Sequence, residues 1–402
     1  MPPPRVAFFP DCFDETNGVA RTSRALVAAA DRHGLPFLCV RAGTATRAAD
    51  AENGRSITIA RGPAAFPLGH DGRHDPLLWR HARRVLTAVE AFRADLVHIT
   101  GPSDVGQLGA FVASRLRLPL VASWHTNLHD FAACRAAKHL AILPGGMRRS
   151  IVEWIRRGAF QAVLRFYQRP AVLMAPNVEL VQLLHAHTKK PTYLMGRGVD
   201  TILFSPIKRD RPPDDPVFLF GYVGRLASEK NVRLLPRIEQ ALLAAGHRHH
   251  RFLIVGEGAE RRSLERHMQQ VDFAGALHGE PLARAYANID LLILPSETDT
   301  FGNVVQEALA SGTPAVVSNV GGPKFIVRRG VTGYIEADAD GFAAAAIAAM
   351  TDREQHRRMR DAARRQALGA SWDAVFEEVV EAYCAALRQP QLQTPAGRAC
   401  RI

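Results

Sequence analysis

Twice along this chain, short apolar runs alternate with segments of helical period, and a Pro-rich stretch at 206–216 separates the two series. The first series has runs at 6–9, 37–40, 57–60, 96–100, 120–124 and 172–175; the second has runs at 217–223, 252–255, 291–294 and 315–317. Each is short enough for a strand buried on both faces, and helical segments such as 79–92 lie between most of them. Strands alternating with helices predict a parallel sheet covered on both sides. The expected fold is α/β, with two doubly wound Rossmann-like domains at 1–195 and 196–371, a helix at 372–388 and a loose tail at 389–402. Val375, Val379, Tyr383 and Leu387 give that last helix its apolar face.

A length of 402 residues is enough for two cores, and 47% apolar with 22% charged residues fits a folded protein. The longest apolar stretch, 342–350, is far short of the ~20 residues that a spanning helix needs. The N-terminus lacks the regions of a signal peptide, so a cytoplasmic location is expected. Cys12, Cys39, Cys134, Cys384 and Cys400 show no paired spacing, which indicates neither a zinc site nor a disulfide framework; most are expected to be buried small apolar groups. A net charge of +12 attracts anions, whether nucleotide phosphates, acidic lipid or nucleic acid. The aromatic interleaving of a nucleic-acid module is missing, so no nucleic-acid partner is expected.

Chemistry concentrates in three stretches. At 295–307 a loop follows the apolar run 291–294 and enters a helix, with Gly302 and Asn303 where the helix begins. Free amides and the positive end of the helix dipole there suit an anionic or hydroxyl-rich ligand. Glu307 lies a turn further in and Asp299 just outside, so two carboxylates flank one polyhydroxyl ligand, or else form an acidic loop beside an ordinary cap. Arg225 and Lys230 follow the strand 217–223, where open α/β sheets bind ligands. Two cations there suit a diphosphate; the alternative is a solvated surface pair. His125 ends a first-domain strand, in a structural role or facing a cleft. Gly256-Glu257-Gly258 lacks the further glycine of a dinucleotide loop, since Arg261 stands in its place, which rejects a nicotinamide site. No Asp-x-Asp pair or His cluster lies where phosphates belong, so no metal or other cofactor is expected.

Asp299 and Glu307, with seven residues between them, together with Thr300-Phe301-Gly302-Asn303 and the following Ala308-Leu309-Ala310-Ser311-Gly312-Thr313-Pro314, resemble the acidic motif of the family 4 retaining glycosyltransferases. Many relatives carry Glu where Asp299 stands. The resemblance covers most of the chain and is weakest between about residues 130 and 190. It implies the GT-B fold, two Rossmann-like domains facing a cleft with the last helix crossing back to the first. By the same resemblance Arg225 and Lys230 bind the donor diphosphate, and Glu307 bonds the ribose hydroxyls. Asp299 and the backbone of Phe301, Gly302, Asn303 and Val304 hold the sugar. His125 lies beside that sugar, Gly18 approaches the donor with its backbone, and the Gly256–Gly258 pair lines the cleft. The implied reaction moves a hexose with retention, the departing diphosphate helping to deprotonate the acceptor. GDP-mannose is the first expected donor and a UDP-hexose such as UDP-glucose the second; the acceptor is a membrane lipid or a glycan. The alternatives are a sugar-nucleotide epimerase of the same fold and a basic nucleic-acid-binding protein.

The segment 131–170 holds Arg135, Lys138, Arg148, Arg149, Arg156, Arg157, Arg165 and Arg169 against the single acid Glu153. On a helix, Arg148, Arg149, Arg156 and Arg157 fall on one half and Ile151, Trp154 and Ile155 on the other. This pattern suits a helix lying on anionic lipid at the inner membrane face, or a solvated helix covering the cleft. Phe160, Val163 and Leu164 break it, so the later turns are expected inside the domain.

Overall fold

The computed structural model describes residues 3–15, 17–50, 54–67, 73–212 and 215–389. The chain divides into two compact units. Unit 1 is Met1–His129, Arg157–Met195 and Phe376–Ile402, and unit 2 is Asp130–Arg156 and Gly196–Val375.

The strands of unit 1 are β1 (Val6–Phe9), β2 (Phe37–Gly43), β3 (Arg47–Asp50), β4 (Gly54–Ala60), the short ribbon β5 (Phe66–Pro67) and β6 (Arg73–His74), then β7 (Leu96–Ile99), β8 (Leu120–Ser123), β9 (Val172–Ala175) and β10 (Thr192–Leu194). All but the ribbon form one sheet in the order β10-β9-β8-β7-β1-β2-β4-β3. Its pairs are parallel except β3 with β4. Helices α1 (Gly18–Arg32), α2 (Ala82–Phe92), α3 (Asp104–Leu116), α4 (Leu128–His139), α5 (Gly145–Tyr167) and α6 (Val178–Thr188) intervene along the chain, with most of α4 and the first half of α5 counted in unit 2. The central strands β1, β7, β8 and β9 are buried along their whole length, which is why they read as unbroken apolar runs. The edge strands β3 and β10 are short and carry polar residues, so apolar periodicity missed them. Helix α1 starts at Gly18, where the Asn17 side chain accepts the Ala20 N–H at 2.9 Å and caps it.

Unit 2 holds β11 (Phe218–Val223), β12 (His250–Val255), β13 (Val271–Gly275), β14 (Leu291–Leu294), β15 (Ala315–Ser318) and β16 (Gly333–Glu336). They form an all-parallel sheet in the order β13-β12-β11-β14-β15-β16. Helices α7 (Leu234–Ala244), α8 (Arg261–His267), α9 (Gly279–Asn288), α10 (Asn303–Ala310), α11 (Ala339–Thr351) and α12 (Arg353–Leu368) connect them. The strand order reverses between β11 and β14, and ligands of such sheets bind outside the carboxyl ends of the strands at that reversal. The Pro-rich stretch 206–216 is no free linker where it is described. Arg209 and Arg211 each reach the buried Asp290 at 2.9 Å and strap it onto unit 2.

Helix α13 (Trp372–Arg388) returns the chain to unit 1 at Phe376. Phe376, Val379, Ala382, Tyr383 and Ala386 are buried, whereas Leu387, expected on the apolar face, is exposed because the stripe ends one residue earlier. Of the cysteines expected to be buried, only Cys39 is so among the described residues; Cys12, Cys134 and Cys384 are half-buried. Cys400 and the tail beyond residue 389 lie outside the described residues. Among the described residues no helix is long and apolar enough to cross a membrane.

Candidate active site

The turn after β11 is built around Gly224. The two glycines of the Gly256-Glu257-Gly258 loop allow the loop after β12 to press on it: a Cβ at Gly256 would lie 2.0 Å from the Gly224 carbonyl oxygen, and one at Gly258 2.2 Å from that of Leu226. Leu226 N–H donates to the Glu257 carbonyl at 2.9 Å. This pair, which the sequence reading rejects as a nicotinamide loop, shapes the turn that carries Arg225 and Lys230. Tyr222 Oη donates to the Arg225 carbonyl at 2.9 Å, and the Arg225 guanidinium pairs with Glu229 at 3.2 Å.

Lys230 Nζ meets Asp299 Oδ1 at 2.5 Å, joining the turn after β11 to the loop after β14 across the strand reversal. Thr298 Oγ1 reinforces the junction by donating to the Glu229 carbonyl at 3.1 Å. Burial opposes ionisation of Asp299, but the Lys230 charge and hydrogen bond, with Arg225 behind them, outweigh it and hold the carboxyl below its ordinary value. Asp299 is therefore ionised at neutral pH, and a cation stands ready beside it.

Helix α10 begins at Asn303, with Gly302 as its cap at φ 105°, a conformation that favours glycine. The loop before it rests on Gly321-Gly322-Pro323. Gly322 N–H donates to the Asp299 carbonyl at 2.7 Å, and a Cβ at Gly322 would meet the Thr300 carbonyl oxygen at 2.1 Å. Among the described residues the Asn303 and Val304 amides have no acceptor, as expected for the first turn of a helix. Glu307 is buried and accepts from Tyr286 Oη at 2.9 Å.

Sequence reading missed Arg197. Its guanidinium lies 5.7 Å from the centre of the Phe301 ring, and its carbonyl accepts from Gln306 Nε2 on α10 at 2.7 Å. Burial lowers the guanidinium to about 10. Gly321 and Gly322 were missed too, since their function depends on what lies above them. A cavity of about 640 Å³ adjoins the turn, lined by Cys134, Ala137, Arg148, Arg149, Val152, Glu153, Ser228 and Glu229, all of unit 2.

His125 and Gly18 belong to unit 1 and the other expected site residues to unit 2. Gly18 is the exposed first residue of α1. His125 is buried, with Nε2 at 2.7 Å from Ser123 Oγ. Ser123 Oγ in turn lies 3.0 Å from His98 Nε2, and His98 Nδ1 lies 2.8 Å from Tyr383 Oη. Sequence reading also passed over Asp11, just past β1. Burial raises its carboxyl to about 7 against the hydrogen bond that Ser103 Oγ donates at 2.6 Å, with the neighbouring Asp104 charge adding to the rise.

Two α/β domains, each built on its own largely parallel sheet, have the architecture of the GT-B fold. Residues 16–203 match the family described as Glycosyltransferase Family 4, and residues 217–352 match Glycosyl transferases group 1. A GDP-mannose-dependent alpha-mannosyltransferase of Mycolicibacterium smegmatis is 34% identical over 77% of this chain and 78% of its own length. One of the same description from Corynebacterium glutamicum is 32% identical over 76% of this chain and 69% of its own. In structure, a sucrose-phosphate synthase from Thermosynechococcus elongatus superposes with a TM-score of 0.69 over 95% of this chain and 98% of its own, at 22% identity. The chain belongs to the family 4 glycosyltransferases and is a hexosyltransferase.

Proposed function

We propose that unit 2 binds a nucleotide-diphosphate hexose and that the enzyme transfers the hexose with retention of configuration. The observation that carries this reading is the Lys230–Asp299 pair, set beside Arg225 and the open amides of Asn303 and Val304 at the strand reversal. Arg225 and Lys230 neutralise the diphosphate, whose charge grows as the bond to the sugar breaks. Asp299 and the backbone from Phe301 through Gly302 and Asn303 to Val304 hold the sugar, and Glu307, steadied by Tyr286, holds the ribose. His125 and the backbone of Gly18 are assigned to donor recognition on the family resemblance alone. In the step itself the bond from C1 to the diphosphate oxygen breaks and one from C1 to the acceptor oxygen forms on the same face. The acceptor's hydroxyl proton passes to the departing diphosphate.

GDP-mannose is the first choice of donor, because both bacterial relatives carry it in their descriptions, and a UDP-hexose is the second. A panel of nucleotide sugars tested for protection against thermal unfolding decides between them. A donor at a hundredfold over its Kd adds about 2.7 kcal/mol of stability. Protection by none of them overturns the reading, and conversion of a donor without acceptor points to the epimerase.

The acceptor we infer is a lipid with an anionic head, met at an anionic membrane surface. Ile142, Met147 and Trp154 are 93%, 57% and 76% exposed, close in sequence to Arg149, Arg156 and Arg157, an arrangement suited to lying on lipid. Phe160 is half-buried and Val163 and Leu164 are buried, so only the earlier turns of α5 are available for this. In the adjoining cavity Glu153 and Glu229 are engaged by Arg156 and Arg225, which leaves the side chains of Arg148 and Arg149 without an ion pair among the described residues. That balance favours an anionic head group. Sedimentation with anionic and neutral vesicles tests it, and equal, negligible binding to both would point to a soluble acceptor.

A further inference from the structure

Four buried side chains form one chain of hydrogen bonds in unit 1, running from Tyr383 on α13 through His98 on β7 and Ser123 on β8 to His125. The direction of the protons in this chain follows from its far end. Tyr383 is fully enclosed, and within the described protein its hydroxyl has one polar neighbour, His98 Nδ1 at 2.8 Å. A buried hydroxyl without an acceptor costs the full loss of its solvation, so Tyr383 Oη donates and His98 Nδ1 accepts. Burial keeps His98 neutral, which leaves its one proton on Nε2, facing Ser123 Oγ at 3.0 Å. Ser123 Oγ accepts that proton's hydrogen bond and turns its own towards His125 Nε2, at 2.7 Å. Nε2 of His125 is thereby an acceptor, and a neutral imidazole with Nε2 accepting carries its proton on Nδ1.

We propose that Tyr383 is a positioning residue which, through His98 and Ser123, fixes His125 as the Nδ1–H tautomer, so that this imidazole serves the donor sugar as a hydrogen-bond donor. The role in turnover rests on the glycosyltransferase reading above; the tautomer does not. The returning helix α13 thus supplies the end of the network as well as apolar cover. Reversing the chain would leave the Tyr383 hydroxyl with no acceptor, so the opposite tautomer is penalised at a distance of three side chains from where it forms.

The test is nitrogen NMR of protein labelled at histidine, with His125 assigned by its loss in His125→Gln. In the wild type His125 is expected to show a protonated Nδ1 and a bare Nε2. In Tyr383→Phe it is expected to show a mixture of tautomers, with kcat down about tenfold, the worth of one hydrogen bond, and the donor KM unchanged. Ser123→Ala, which cuts the last link without touching α13, is expected to give the same split, and Ser123→Thr, which keeps the hydroxyl, to restore both tautomer and rate. A wild-type His125 protonated on Nε2, or a tautomer that neither Tyr383→Phe nor Ser123→Ala alters, would overturn the proposal. If the NMR result holds while no nucleotide sugar protects the protein, the glycosyltransferase reading fails and the tautomer assignment stands.

Discussion

Lys230 and Asp299 are 69 residues apart in the chain and 2.5 Å apart in the fold. Lys230→Ala removes the partner of Asp299 and, in the proposed function, the cation that faces the leaving group. Turnover is expected to fall by about 100-fold or more, as for a lost donor to developing charge, and the melting temperature is expected to drop as well, because the enclosed Asp299 carboxylate loses its cation. Steady-state kinetics and a melting curve check this, and activity within a few fold of wild type would remove the diphosphate assignment. Asp11 gives a prediction of opposite character. Its folded value is raised to about 7 from 3.8, so its contribution to stability is complete below the unfolded value and is lost as pH rises through the folded one. Asp11→Asn has no charge to bury, and its gain in melting temperature over wild type is expected to grow between about pH 5 and about pH 8. A gain that is the same at both would contradict the raised carboxyl.

At the scale of elements, the loop after β14 is held in shape by a neighbour it does not resemble in sequence. Gly322→Ala would drive a methyl group into the Thr300 carbonyl, and the loop must move because the contact is backbone on backbone. Donor affinity, measured by calorimetry, is expected to weaken about tenfold, a loss of one well-placed hydrogen bond. Unchanged affinity would show that the loop's position does not matter. The motifs at 225–230 and 299–307 were legible because each is local, a strand end followed by polar residues and a helix start. The supports were not, since Gly321, Gly322 and Arg197 act on residues some 20 to 100 positions away. The missed strands β13 and β16 are also explained: both lie at sheet edges and alternate or mix polar with apolar residues, so they lack the continuous apolar signal of β11 and β14.

At the scale of the whole molecule, the double alternation in the sequence was enough to give two largely parallel sheets, and the strand order, which no local pattern encodes, decided where the two polar motifs sit. β11 and β14 are neighbours only because the chain reverses direction after β13, and that reversal brings the two motifs together. The network ending at Tyr383 was equally hidden, since it joins strands β7 and β8 to the last helix, 285 residues from His98. The central proposal is that this strand reversal carries a site for a diphosphate. The most direct measurement is calorimetric titration of GDP and GMP into wild type and Lys230→Ala. The account predicts that GDP binds the wild type about 100-fold more tightly than GMP, from the charge-assisted contacts to the second phosphate, and that Lys230→Ala loses most of this difference. Equal affinity of GDP and GMP for the wild type would contradict it.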